Sequence, residues 1–161
     1  MQIAGLEKIS LIDYPNKIAC SIFLFGCNFR CGFCHNPELV LLEKPEKIYS
    51  EKEILEFLEK RKKYLEGVCI TGGEPLINND LMDFIKKIKN LGYEIKIDTN
   101  GSNPELLKKI IENKLVDYIA IDIKADKKIY EEITGVKIDI KKIEESLKII
   151  KNSGIDYEIR T

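Results

Sequence analysis

The chain has 161 residues, 44% hydrophobic and 33% charged, a composition that supports one globular domain with a real core and excludes a disordered chain. A formal net charge of −1 gives no general attraction to nucleic acid or to an anionic membrane, so neither is an expected partner. The N-terminus lacks a basic stretch followed by an apolar one, and no apolar run approaches the ~20 residues needed to cross a bilayer, so a cytoplasmic protein is expected.

In chain order, residues 3–17 hold a short apolar patch and then Asp13-Tyr14-Pro15-Asn16, a turn signature, which together predict a small hairpin leading into the first main strand. The near-continuous apolar run 17–25 predicts a strand buried on both faces, as in a parallel sheet. Cys27, Cys31 and Cys34 follow it at C-x3-C-x2-C spacing. The stretch 36–49, with Pro37 and Pro45, is expected to be irregular. Ser50-Glu51-Lys52-Glu53 is a capping box opening a helix to about residue 66. A strand over 67–71 then ends in Gly72-Gly73-Glu74-Pro75. Asn78 or Asn79 is expected to cap a helix over 80–90, stopped by Gly92.

A strand over 93–97 ends in Asp98-Thr99-Asn100-Gly101, and Asn103-Pro104 opens a helix to about residue 113. A strand over 116–121 ends in Asp122-Ile123-Lys124. A short helix over 127–133, a long one over 140–151 and a strand over 155–160 complete the pattern. Strands alternating with helices imply a parallel sheet with right-handed crossovers, either open or curved into a barrel. The unusual residues all follow strands, so they share the sheet edge where such folds build their sites.

Three thiolates this close can converge on a soft metal centre. A structural zinc wants four ligands, whereas a four-iron cluster held by three leaves one iron open for chemistry. His35, the only histidine, adjoins Cys34, and neighbouring residues rarely both reach one tetrahedral ion. It reads as an acid or donor near the cluster, or as a turn residue. A zinc site or three unligated thiols are the bland alternatives. Arg30 either tunes the centre or is solvated.

Gly72-Gly73 permit close backbone approach, and the Glu74 carboxylate suits an ammonium group; alone, the motif could also be an ordinary strand-to-helix loop. Asp98, Thr99, Asp122 and Lys124 could take ribose hydroxyls, a cation or a carboxylate, against the bland reading of Lys124 as a surface lysine. Cys20 and Cys69 lie within strands and read as small buried hydrophobes. Five cysteines in a reducing compartment do not read as a disulfide framework.

The cysteine loop, with an aromatic before the third cysteine, and Gly-Gly-Glu-Pro together resemble the radical S-adenosylmethionine (SAM) proteins. More narrowly, Gly5-Leu6, Asp13-Tyr14-Pro15, Gly26-Cys27-Asn28-Phe29-Arg30-Cys31 and Cys34-His35-Asn36-Pro37-Glu38-Leu39 resemble activases of anaerobic ribonucleotide reductase, relatives of pyruvate formate-lyase activating enzyme. The resemblance implies one radical SAM domain over residues 1–161, a partial (β/α)6-type barrel whose sixth parallel strand is missing, in a chain that is short or C-terminally truncated. It implies a [4Fe–4S] cluster on Cys27, Cys31 and Cys34, with SAM cleaved to a deoxyadenosyl radical that takes hydrogen from a glycine of a glycyl radical enzyme.

By the same resemblance, the Phe33 backbone faces the adenine, and Gly72, Gly73 and Glu74 meet the methionyl amino group. Lys124 meets the carboxylate or ribose, and Asp98, Thr99 and Asp122 look similar to a monovalent-cation and SAM site. Arg160 matches a position near the active site. Asp98 and Lys124 are the catalytic candidates, and the expected electron donor is a flavodoxin or ferredoxin. A carboxy-deazaguanine-type synthase acting on a small molecule and a non-catalytic zinc protein are the alternatives.

Overall fold

In the computed structural model, which describes residues 1–41, 44–45 and 47–161, six strands form one sheet in chain order. They are β1 (Ile3–Ser10), β2 (Ala19–Leu24), β3 (Gly67–Gly72), β4 (Glu94–Thr99), β5 (Tyr118–Asp122) and β6 (Asp156–Arg160). β1 runs antiparallel to β2, and each later strand lies parallel to its predecessor. The helices are α1 (Glu38–Leu41), α2 (Glu51–Arg61), α3 (Leu81–Asn90), α4 (Pro104–Glu112), α5 (Tyr130–Thr134) and α6 (Ile140–Lys151). The sheet is an unclosed barrel with β1 and β6 at its edges.

Alternation along the strands sorts the residues between two faces. Ile22, Leu24, Val68, Ile70, Ile95, Ile97, Ile119 and Ile121 are fully buried in one cluster with Ile54 and Leu58 of α2, Phe84 and Ile88 of α3 and Leu107 and Ile110 of α4. Each such side chain contributes about 1.5–3 kcal/mol by leaving water. The opposite face is polar, carrying Ser21, Cys69, Lys96, Asp98, Asp122, Glu158 and Arg160. Cys20 and Cys69 are buried free thiols, one on each face, as hydrophobes of that size allow.

Several boundaries differ from expectation. The N-terminal segment is no separate hairpin: β1 pairs directly with β2, from Ile3 opposite Leu24 to Ser10 opposite Ala19. Asp80, not Asn78 or Asn79, stands at the start of α3, and its carboxylate takes the Met1 ammonium at 2.5 Å instead of capping. Asn78 closes the 3-10 turn Pro75–Ile77, its backbone N–H donating to the Pro75 carbonyl. α2 stops at Arg61, where Tyr64 and Leu65 N–H groups turn back to the Arg61 carbonyl. Within the stretch 36–49, Glu38–Leu41 is helical, and residues 42, 43 and 46 lie outside the described residues. Among the described residues no helix is long and apolar enough to cross a membrane.

Candidate active site at the strand ends

The C-terminal ends of β2 to β6 surround one cavity of about 480 Å³. Cys27, Cys31, Cys34 and Phe33 line it from the loop after β2, and Gly72, Gly73 and Glu74 from the end of β3. Asp98 and Thr99 come from β4, Asp122 and Lys124 from β5 and beyond, and Arg160 from β6. Every site residue expected from the sequence therefore borders the same space.

The cysteine loop is held at its ends and middle by the rest of the chain. Gly26 N–H donates to the Leu39 carbonyl at 2.8 Å and Arg30 N–H to the Thr134 carbonyl at 2.7 Å. Phe29 is buried against Tyr130 and Ile143, its ring edge-on to Tyr130. Arg30 is exposed to solvent, and its Nη1 clamps the carbonyls of Cys27 and Phe29 at 2.6 and 2.8 Å. His35 is exposed on the cavity rim. Burial pushes the Cys27 thiol up to about 11 and raises Cys31 as well, so both are protonated at neutral pH until a metal centre takes the proton's place.

The loop after β3 is packed backbone to backbone against the loop after β2. Gly73 N–H donates to the Leu24 carbonyl and Glu74 N–H to the Gly26 carbonyl, both at 2.8 Å. A Cβ on Gly73 would lie 1.9 Å from the Gly26 oxygen, and Gly72 adopts a positive φ of 110°. The glycine pair is thus required by contact between two chain segments.

Glu74 differs in kind from a ligand-facing carboxylate. It is 1% exposed. Its Oε1 accepts from Leu76 N–H at 3.0 Å and from the Thr99 hydroxyl at 2.6 Å, and its Oε2 accepts from Asn100 N–H at 2.7 Å. Burial lifts its pKa to about 7, against the opposing pull of those donors from Asn100, Thr99 and Leu76. Glu74 and Thr99 therefore brace the end of β3 to the end of β4. Asn100, not singled out from the sequence, extends the brace, its Nδ2 donating to Asn28 Oδ1 at 2.9 Å on the cysteine loop.

The floor of the cavity is ionic. Arg160 donates from Nε to Asp122 Oδ1 at 2.7 Å and from Nη1 to Asp98 Oδ2 at 3.2 Å. Lys124 Nζ reaches Asp122 Oδ2 at 2.9 Å and stands 5.9 Å from the Phe33 ring centroid. Burial works against the Asp122 charge, but Arg160 and Lys124 together hold its pKa below the ordinary carboxylate value. Below this layer Lys96, only 2% exposed, brings its ammonium 3.0 Å from Asp98 Oδ1. Nothing in the sequence marked Lys96, whose neighbours Glu94 and Asp98 suggest a solvated strand face.

The donor set suits a cluster with one open position: three thiols on one short loop, bordering a cavity whose remaining walls are polar. Among the described residues no three His, Cys, Asp or Glu side chains stand close enough to share a single ion. A four-iron cube spreads its thiolates more widely than one ion does.

The Radical SAM superfamily model matches residues 21–161. A Methanocaldococcus jannaschii protein named for glycyl-radical enzyme activation is 36% identical over 99% of this chain and 67% of its own length. Pyruvate formate-lyase-activating enzyme of Clostridium pasteurianum is 32% identical over the same shares. Among solved structures, anSMEcpe with bound AdoMet superposes with a TM-score of 0.63 at 20% identity, covering 84% of this chain and 40% of its own. QueE from Escherichia coli superposes with a TM-score of 0.57 at 16% identity, covering 99% of this chain and 93% of its own. These two likenesses concern the fold. The chain spans about two thirds of the length of the two curated relatives and 40% of the first of these structures.

Proposed function

Because the chain belongs to the radical SAM superfamily, whose enzymes use a [4Fe–4S] cluster and SAM, we propose that it activates a glycyl radical enzyme, with anaerobic ribonucleotide reductase as the partner. What the bound cluster supplies is one electron for the reductive cleavage of SAM. The observation that carries the reading is the single cavity bordered by all twelve expected site residues, at the size of a small-molecule pocket.

In this reading Cys27, Cys31 and Cys34 hold the cluster, and the clamped loop keeps them in place. The Phe33 backbone faces the adenine. Gly72 and Gly73 bring main-chain groups up to the methionyl amino group. Glu74 and Thr99 act behind them, fixing two strand ends, since their polar atoms are already engaged. Lys124 meets the substrate carboxylate or ribose, and Asp98, Asp122 and Arg160 form the charged floor that orients it. Residues 1–161 act as one radical SAM domain in the cytoplasm, with a flavodoxin or ferredoxin as donor.

The test is anaerobic incubation of the reconstituted protein with SAM, a reductant and the anaerobic ribonucleotide reductase of the same organism. The expected result is a glycyl radical doublet by EPR, with methionine and 5′-deoxyadenosine formed. SAM cleavage without a radical on any glycyl radical enzyme overturns the partner reading in favour of a small-molecule substrate. Zinc in place of iron and sulfide overturns it entirely.

A further inference from the structure

The resemblance implies a monovalent cation at Asp98 and Asp122, and the side chains do not fit one. Each of the four carboxylate oxygens already faces a cationic nitrogen of the chain. Asp122 Oδ1 and Oδ2 meet Arg160 Nε at 2.7 Å and Lys124 Nζ at 2.9 Å. Asp98 Oδ2 meets Arg160 Nη1 at 3.2 Å, and Asp98 Oδ1 has Lys96 Nζ at 3.0 Å. Lys96 and Asp98 are two residues apart on β4, so their side chains share the polar face, with Lys96 one layer deeper.

Lys96 is fixed where it stands. Its Nζ donates to the Asp13 carbonyl at 2.6 Å, and Glu158 Oε1 lies 3.3 Å away. The group is balanced, with Lys96, Lys124 and Arg160 opposing Asp98, Asp122 and Glu158. A free cation entering between the aspartates would meet the nitrogens of Lys96, Lys124 and Arg160, in a partly buried setting that screens their repulsion less than bulk water does. Asp98 Oδ1 nevertheless receives no well-directed hydrogen bond: Lys96 lies within ionic distance but off the hydrogen-bonding direction. Its pairing is one of charge, which a metal cation of the same charge could replace.

We propose that the Lys96 ammonium is the resident cation of the Asp98–Asp122 pair, so that this pocket assembles without a free monovalent ion. Lys96 acts as a positioning residue, holding Asp98 in the geometry in which it grips Arg160. The inference rests on the SAM reading of the cavity only for the second of its two readouts.

The first readout is thermal melting of the cluster-free protein in potassium, sodium or choline chloride at equal ionic strength. Wild type melts within about 1 °C in all three, since no ion binds the folded state selectively. Lys96→Met melts lower in choline and regains about 4 °C or more in potassium or sodium, as a cation enters beside Asp98. Lys96→Arg, which keeps the charge, stays indifferent to the salt.

The second readout is SAM affinity of the reconstituted protein by calorimetry. Wild type changes by less than about twofold between choline and potassium, whereas Lys96→Met loses about tenfold or more in choline and recovers in potassium. A wild type stabilised by potassium or sodium over choline overturns the proposal, and so does a folded Lys96→Met with no cation preference. If Lys96→Met does not fold, the wild-type comparison decides alone. A protein that melts as expected but binds no SAM contradicts the proposed function and leaves this inference standing.

Discussion

The carbonyl oxygen of Gly26 stands 1.9 Å from the place a Cβ on Gly73 would occupy. Two strand-end loops, one carrying the cysteines and one carrying Gly-Gly-Glu-Pro, therefore touch through bare backbone. Gly73→Ala must push the loops apart, at a cost of about 1–3 kcal/mol, and move Cys27 with them. Iron bound per chain after anaerobic reconstitution falls, and the melting temperature drops. Gly32→Ala, in the cysteine loop itself but with nothing within 4 Å of its Cβ position, keeps its iron and stays within about 0.5 kcal/mol of wild type. Equal effects of the two changes would contradict the contact.

Removing any one of the three loop thiols should cost the cluster. Cys27→Ala, Cys31→Ala and Cys34→Ala each lose most of the iron, sulfide and visible charge-transfer absorption, because three thiolates leave no spare ligand. Cys20→Ala and Cys69→Ala, which change only buried packing, retain all of it. Full iron retention in one of the loop variants would show that its thiol is not a ligand.

Arg160 joins β6 to β4 across β5 by gripping both aspartates. A lysine there keeps the charge but cannot span the two carboxylates as a planar fork does. Arg160→Lys should weaken SAM binding by about tenfold, and Arg160→Met by more, since it leaves Asp98 and Asp122 short of positive charge. Calorimetry on the reconstituted variants reads this directly. An Arg160→Met protein binding SAM as wild type does would remove Arg160 from the pocket floor.

Glu74 gives a pH dependence whose sign follows from its raised pKa. Folded, it holds its proton to about pH 7; unfolded, it releases it near 4.5. The folded state therefore binds the extra proton between those values. This group imposes no penalty below pH 4.5, an increasing one as pH rises through the window, and a constant one above about 7. Relative to Glu74→Gln, wild-type unfolding free energy should fall by up to about 3 kcal/mol from pH 4.5 to 7.5. Parallel profiles for the two proteins would mean that Glu74 titrates as an ordinary carboxylate.

The strand-end positions of the cysteines, the glycine pair, Asp98, Asp122 and Arg160 were legible because hydrophobic runs and helix caps fix where each strand stops. Ser50 and Glu53 form the expected capping box, and α6 spans the residues its periodicity marks. What could not be read depends on partners distant in the chain. Lys96 shares its strand face with Glu94 and Asp98, as an exposed lysine would; besides Asp98, the partners that make its burial tolerable are Asp13, on the β1–β2 connection, and Glu158, on β6. Glu74 reads as a free carboxylate until Thr99 and Asn100 arrive from the next strand end. Local pattern reports the face a residue takes but not the charge that meets it there.

The most direct measurement is EPR of the anaerobically reconstituted and reduced protein, recorded with and without SAM. The account predicts a reduced [4Fe–4S] signal whose shape and g-values change when SAM is added, because the fourth iron is open to it. A cluster signal indifferent to saturating SAM, or a protein that takes up zinc and no iron, would contradict it.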